Sequence, residues 1–392
     1  MKKILIFSLN YYPKYVGGAE VAIKEIVERT EKDNYQFHMI TLRFDSELPK
    51  YEVVHGIHIH RIGFTKKGAN ILELKTSWLR YNKYYFQFFA AFYALSLHRK
   101  EKFSAIWAMM AHSCAIPGGI FKTIYPKVKY ILTLQEGDPP EYIESMMKPV
   151  WPFFKRGFIL ADVTQSISTF LNNWSVRMGN KNFKTVIPNA VDLKEFTRVF
   201  SEGEISEVKA KLGKKDGEIW LITTSRLVHK NGIDDCINAI KLLPEKYHFA
   251  ILGIGPDEEK LKKIVNDLDI NNRVHFVGQI GHPLMAVYLK ACDIFIRPSR
   301  SEGMGNSFVE AMSTKMPVIA TIEGGLSDFI FDGKTAWVVK KDSLESIKEA
   351  VLRIEEGGNR KQILDTAYDM VVEKYNWDLV ARRMGEEVLA KI

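Results

Sequence analysis

The sequence predicts an α/β protein built from two successive doubly wound domains. Three observations point there. Short apolar runs alternate with helix-patterned stretches along the chain, the rhythm of parallel sheets covered by helices. The 392 residues exceed one ordinary core and suit two. Near the middle, Val186-Ile187-Pro188-Asn189-Ala190-Val191-Asp192 breaks the periodicity with proline and asparagine, a natural hinge.

In the first half, residues 4–9, 37–42, 57–62, 105–110, 130–134 and 163–166 are the apolar runs expected as strands. In the second half the runs are 220–224, 249–252, 274–277, 294–296, 318–320 and 336–339. Helical periodicity occupies 233–243, 258–268, 284–291 and 307–312 between them. Neither a low-complexity tract nor a sequence repeat accompanies this pattern. Residues 81–97 are the most aromatic stretch, with Tyr81, Tyr84, Tyr85, Phe86, Phe88, Phe89, Phe92 and Tyr93. Arg80 and Lys83 lie at its start, and Arg99, Lys100 and Lys102 follow it. Apolar residues nearly all round favour a core helix packed on the sheet. An interfacial helix meeting lipid is the alternative.

Composition bounds the function. Apolar residues make up 46% and charged residues 26%, the balance of a globular chain rather than a disordered or polytopic one. The formal charge is +8. Residues 1–190 carry 26 Lys/Arg against 15 Asp/Glu, a surplus of +11, and the remainder 29 against 32, or −3. Such asymmetry points to an acidic partner for the first half, whether membrane surface, phosphorylated acceptor or nucleic acid. Three scattered cysteines, Cys114, Cys236 and Cys292, form neither a metal-ligand pair nor a disulfide framework and suit a reducing compartment. The apolar run after Met1-Lys2-Lys3 is too short for a signal peptide and reads as a first buried strand. No segment reaches the ~20 apolar residues a bilayer span requires. A cytoplasmic chain is expected.

The strongest chemical constellation is Glu302-Gly303-Met304-Gly305-Asn306-Ser307-Phe308-Val309-Glu310. It follows a strand ending at Arg297-Pro298-Ser299 and runs into a helix. A glycine-rich turn opening a helix offers backbone N–H groups and a positive dipole end to phosphate. Glu302 and Glu310 are placed to grip hydroxyls at the two ends of one ligand. A capping turn with solvated glutamates is the competing reading. Arg226 and Lys230, in the segment Thr224–Gly232 after another strand, can converge on a pyrophosphate at the carboxyl edge of the sheet. Taken alone, they read as two surface cations. Gly17 and Gly18, in Tyr15-Val16-Gly17-Gly18-Ala19-Glu20, allow close backbone approach to an anion, or simply begin a helix. Thr133-Leu134-Gln135-Glu136-Gly137-Asp138 ends a strand with a polar cluster suited to a sugar or to solvent. His112 reads as a structural or surface histidine rather than a catalytic one, and Asp267-Leu268-Asp269 as a chance likeness to a metal pair.

Together these segments resemble the retaining GT-B glycosyltransferases of family four, the group 1 glycosyltransferases. Glu302…Glu310 matches the family's E-x7-E motif, and Gly17-Gly18-Ala19-Glu20 its N-terminal glycine loop. Pro188-Asn189-x-Val191-Asp192…Phe196, Ser225-Arg226-Leu227-Val228…Gly232, Gly253-Ile254-Gly255-Pro256 and Gly324-Gly325 are also similar. Tyr375-Asn376-Trp377 resembles the start of the helix that crosses back to the first domain. The likeness spans nearly the whole chain and is strongest in residues 186–340.

The resemblance implies two Rossmann-like domains facing across a cleft. Residues 1–188 plus a C-terminal helix of about 377–392 would form the acceptor domain, and 189–376 the nucleotide-sugar domain. Glu302 would hold donor-sugar hydroxyls, with the amides of Gly303, Met304, Gly305, Asn306 and Ser307 on sugar and phosphate. Glu310 would hold the ribose, Arg226 and Lys230 the diphosphate, and Gly17 and Gly18 its first-domain side. Gly278, Gln279 and Ile280 would lie against the base. Two positions depart from the family pattern. Gln135 stands where many members carry histidine, and Asn231 replaces the lysine before Gly232, leaving Lys230 one position earlier.

The implied activity is transfer of a sugar from a nucleotide-diphospho-sugar to a hydroxyl of a glycan or lipid-linked acceptor, with retention. No metal and no cofactor beyond the donor are expected, and no nucleic acid partner. An anionic membrane surface is an expected contact, which would make the chain peripheral at the inner face of the cell membrane. A nucleotide-sugar epimerase of the same fold and a non-catalytic nucleotide-sugar-binding protein are the alternatives.

Overall fold

Apolar runs too short for helices become strands buried on both faces, as parallel sheets require. A computed structural model describes residues 1–14, 16–30, 34–69 and 73–392. The chain divides into two units, Met1–Asn189 with Trp377–Ile392, and Ala190–Asn376.

In the first unit, eight strands form one sheet among the described residues: β1 (Lys2–Phe7), β2 (Tyr35–Leu42), β3 (Tyr51–Val54), β4 (Ile57–Ile62), β5 (Ala105–Met109), β6 (Lys129–Leu134), β7 (Val163–Ser166) and β8 (Phe183–Val186). Their order is β3-β4-β2-β1-β5-β6-β7-β8. Every pairing is parallel except β3 with β4. Ile4, Leu5, Ile6 and Phe7 are fully buried at its centre. The chain builds outward from β1 through β2, then returns to β5 on the other side. The loops after β1 and β5 therefore flank a point where strand order reverses, the place where open α/β sheets take ligands.

Two strands lack the apolar runs that mark the others. Tyr-Glu-Val-Val in β3 and Phe-Lys-Thr-Val in β8 carry little apolar signal, because each lies at an edge of the sheet. The aromatic stretch forms the helix Asn82–Glu101, but it is not apolar core all round. Phe86, Ala90, Ala91, Ala94 and His98 are buried, whereas Tyr84, Phe89, Phe92 and Tyr93 are exposed. The small residues on the buried stripe let it lie against the helix Ala111–Ile124, so the bulky rings on its other side stay exposed. This corrects the expectation of a wholly packed core helix.

The C-terminal helix Trp377–Arg383 belongs to the first unit. It packs on the helix Gly18–Thr30, and Asp378 pairs with Arg29 at 2.8 Å. Arg383 donates to the Val186 carbonyl at 2.9 Å.

In the second unit, β9 (Ile219–Thr224), β10 (Tyr247–Leu252), β11 (Val274–Gly278), β12 (Ile294–Arg297), β13 (Val318–Ala320) and β14 (Trp337–Val338) form an all-parallel sheet. Its order is β11-β10-β9-β12-β13-β14, so strand order reverses between β9 and β12. The core gathers Leu221, Phe249, Ile251 and Ile296 from the sheet with Ile237, Ile240, Ile347 and Val351 from helices. No described helix is long and apolar enough to cross a membrane.

Candidate functional site

The β9/β12 reversal point of the second unit carries both cations and both glutamates singled out in the sequence. The loop after β9 exposes Arg226 and leaves Lys230 half-buried. Asn231 is buried, and its Nδ2 donates to the Arg226 carbonyl at 2.6 Å, closing the loop on itself. Gly232 follows at φ +67°, where a Cβ would stand 2.4 Å from the Pro298 carbonyl oxygen. Only glycine lets this loop press against the loop after β12. The Arg300 amide completes the seam by donating to the Lys230 carbonyl at 2.7 Å.

The loop after β12 is organised by Arg297, the last residue of that strand. Its guanidinium pairs with Glu302 Oε1 at 2.9 Å, donates to the Thr224 carbonyl at 3.2 Å and lies 4.4 Å over the Phe308 ring. Ser299 Oγ donates to the same Glu302 oxygen at 3.3 Å. The nearly buried Glu302 carboxylate is thus held in one orientation. Gly305, at φ +83°, makes room: a Cβ there would lie 2.6 Å from the Phe308 ring.

The helix Asn306–Ser313 then begins, with no side-chain cap among the described residues and no acidic residue in its first turn. Its dipole is left for an anion. Arg297 Nε, Ser225 Oγ and Ser307 Oγ are buried polar atoms with no hydrogen-bond partner among the described residues. Such orphans at a sheet edge are suited to a polar ligand. Gly303 and Met304 are buried, Met304 at 2% exposure, so what Met304 offers a ligand is backbone. Glu310 Oε1 meets His282 Nε2 at 3.4 Å. At the end of β11, Gly278 adopts φ +81° and its carbonyl accepts from the Gly253 amide at 2.8 Å; Gln279 is exposed and Ile280 half-buried.

The remaining candidates lie in the first unit. Gly18 opens the helix after β1, and the Gly17 amide donates to Glu20 Oε2 at 2.9 Å. This is the reach-back half of a capping box. Burial pushes the Glu20 carboxyl up to about 7. Tyr15 lies outside the described residues. Gln135, after β6, exchanges hydrogen bonds with Asn189, Nε2 to Oδ1 at 3.2 Å and Nδ2 to Oε1 at 3.1 Å.

Several residues were not evident from sequence. Arg297 reads as a strand end, and only the fold shows its guanidinium turned onto Glu302. His112, read as structural, has its Nδ1 3.4 Å from Glu136 Oε1, a carboxylate that is 1% exposed. It follows Met110, a non-glycine residue at φ +68° beside the first unit's reversal point. Strain of this kind gathers at functional sites. Among the described residues, no group of three or more His, Cys, Asp or Glu side chains is arranged to hold a metal ion.

Comparison with known proteins bears on this geometry. The family model described as Glycosyl transferases group 1 matches residues 204–370, which contain both loops. An uncharacterized glycosyltransferase of Methanocaldococcus jannaschii is 25% identical over 96% of each chain. Alpha-monoglucosyldiacylglycerol synthase of Streptococcus pneumoniae is 26% identical over 84% of this chain and 73% of its own. Among solved structures, Anabaena HepE in complex with UDP-glucose superposes with a TM-score of 0.79 at 18% identity, over the whole of both chains.

Proposed function

We propose that this chain, whose residues 204–370 match the group 1 glycosyltransferases and which takes the GT-B fold, moves a hexosyl or N-acetylhexosaminyl unit from a nucleotide-diphospho-sugar to a hydroxyl acceptor with retention of configuration. The observation that carries this reading is the Glu302 carboxylate, fixed by Arg297 and Ser299 beside an uncapped helix start and a loop bearing Arg226 and Lys230. Glu302 accepts hydroxyl hydrogens of the donor sugar, and Glu310 those of the ribose. The diphosphate rests on the amides of residues 303–307.

The acceptor oxygen bonds to the anomeric carbon as the carbon–oxygen bond to the diphosphate breaks. Negative charge grows on the departing phosphate, where Arg226, Lys230 and the helix dipole stabilise it without a metal. Preorganised charge of this kind supplies most of the rate enhancement of many enzymes. Gln135 is a neutral amide occupied by Asn189, so the acceptor proton passes to an oxygen of the departing phosphate.

The first unit receives the acceptor, which we take to be lipid-linked and presented at the inner face of the membrane. The +11 surplus of residues 1–190 and the exposed rings of Tyr84, Phe89, Phe92 and Tyr93, flanked by Arg80 and Lys100, support this. The name of the pneumococcal relative, a glucosyldiacylglycerol synthase, points the same way. Thermal unfolding with UDP-, GDP- and ADP-sugars tests the donor reading, because a ligand that binds only the folded state raises the midpoint. No rise with any of them defeats it.

A further inference from the structure

The hinge motif and the second glutamate of the donor loop meet on one imidazole. His282 opens the helix His282–Ala291, next to Pro283 in its first turn. Its Nε2 lies 3.4 Å from Glu310 Oε1, and its Nδ1 lies 3.5 Å from Glu195 Oε2. Glu195 comes from the short helix Leu193–Phe196, whose start is capped by Asp192. The Phe196 ring closes on His282 edge-on, with centroids 5.4 Å apart. Three helices from separate stretches of the second unit thus converge on one side chain.

We propose that His282 is a positioning residue for the donor nucleotide, holding the Glu310 carboxylate in the orientation that accepts the ribose hydroxyls. This rests on the reading of Glu310 as the ribose carboxylate.

The chemistry of the cluster requires a cation. A neutral imidazole has one N–H and can donate to only one of two carboxylates, while the imidazolium donates to both. The two facing carboxylates raise the His282 pKa to about 9, the Glu310 hydrogen bond first among the causes. Asp192, Glu195 and Glu310 are the charged groups that face this cluster from the packed elements, and all are acidic. Burial and Asp192 push the Glu195 carboxyl up.

Glu195 Oε1 is moreover buried without a hydrogen-bond partner among the described residues. Without His282, two carboxylates would face each other with no shared donor. Glu310 would then lose its orientation, and the local charge would oppose an incoming diphosphate. With the imidazolium in place, Glu310 Oε1 is held by His282 Nε2, which leaves the carboxylate's remaining acceptor sites for the ribose hydroxyls.

The test is calorimetric titration of the full chain with UDP, GDP and ADP, then of the tightest of these against its 2′,3′-dideoxy counterpart. His282→Gln should weaken the ribonucleotide about tenfold, the scale of one charge-assisted hydrogen bond. The dideoxynucleotide should change by less than about twofold, because the lost interaction is made to the missing hydroxyls. Wild-type affinity should hold between pH 7 and 8 and fall as pH rises through about 9. Glu195→Gln should move that fall to lower pH, and it stands as the second variant should His282→Gln not fold.

Equal loss for both nucleotides, no loss in His282→Gln, or an unmoved pH curve in Glu195→Gln overturns the role of His282. Undiminished ribonucleotide binding by Glu310→Gln, or no binding of any nucleotide by the wild type, overturns the ribose reading on which it rests.

Discussion

Gln135 and Asn189 bind each other through both ends of their side-chain amides, at 3.2 and 3.1 Å. The pair is saturated in both donors and acceptors along its shared edge. Gln135 is thus a neutral, occupied group at the end of its strand. On the proposed mechanism, the catalytic burden falls on the second unit's fixed charges.

Arg226→Ala and Lys230→Ala should each lower turnover by roughly 10²–10³-fold, the scale for removing one stabiliser of transition-state charge. Arg226 is exposed and Asn231 holds the loop through a backbone carbonyl, so folding should be little changed. Steady-state kinetics beside circular dichroism checks both statements. Wild-type turnover in either variant places that side chain outside the reaction.

The fold was largely legible in the sequence because buried parallel strands leave continuous apolar runs. Ile4–Phe7 and Tyr247–Leu252 announce themselves this way. Edge strands do not, since their burial is partial and their composition mixed, as in Tyr51–Val54. The loop after β12 was legible as a glycine-rich turn between a strand and a helix, and the loop after β9 as two cations following a strand. Their internal wiring was not: Arg297 on Glu302, Asn231 on the Arg226 carbonyl and His282 between two carboxylates join residues by geometry, at spacings no periodicity marks. The aromatic helix misled because composition reports how apolar a helix is but not how many neighbours it has.

Glu20 predicts a slope in stability with pH. Its folded pKa of about 7 lies above the ordinary 4.5, because burial outweighs the Gly17 hydrogen bond. The native state therefore binds the proton more tightly than the unfolded chain. The contribution is fully present below pH 4.5 and is lost as pH rises through 7. Chemical denaturation of the wild type and Glu20→Gln between pH 4.5 and 8 should show this slope only in the wild type. Parallel curves contradict the assignment.

Membrane contact should be electrostatic first and apolar second. Each basic residue near an anionic surface contributes about 1 kcal/mol, and salt weakens the attraction. Co-sedimentation with anionic vesicles should fall as salt rises and be reduced by Phe89→Ser with Phe92→Ser. Equal binding to neutral and anionic vesicles, or none to either at low salt, removes the membrane from the account and leaves the transferase intact.

Activity should survive chelation if, as proposed, Arg226, Lys230 and the helix start at Asn306 supply the charge a divalent ion would otherwise provide. Assays with and without EDTA decide this. Loss of activity that Mg²⁺ or Mn²⁺ restores contradicts it.

The most direct test of the whole account follows the anomeric centre itself. The purified chain is incubated with the nucleotide-sugar that most raises its unfolding temperature, together with lipid acceptor, and the product is read by proton NMR. The account predicts release of the nucleoside diphosphate and a glycoside with the donor's own anomeric configuration. An inverted linkage, or a free epimerised sugar in place of a glycoside, would contradict it.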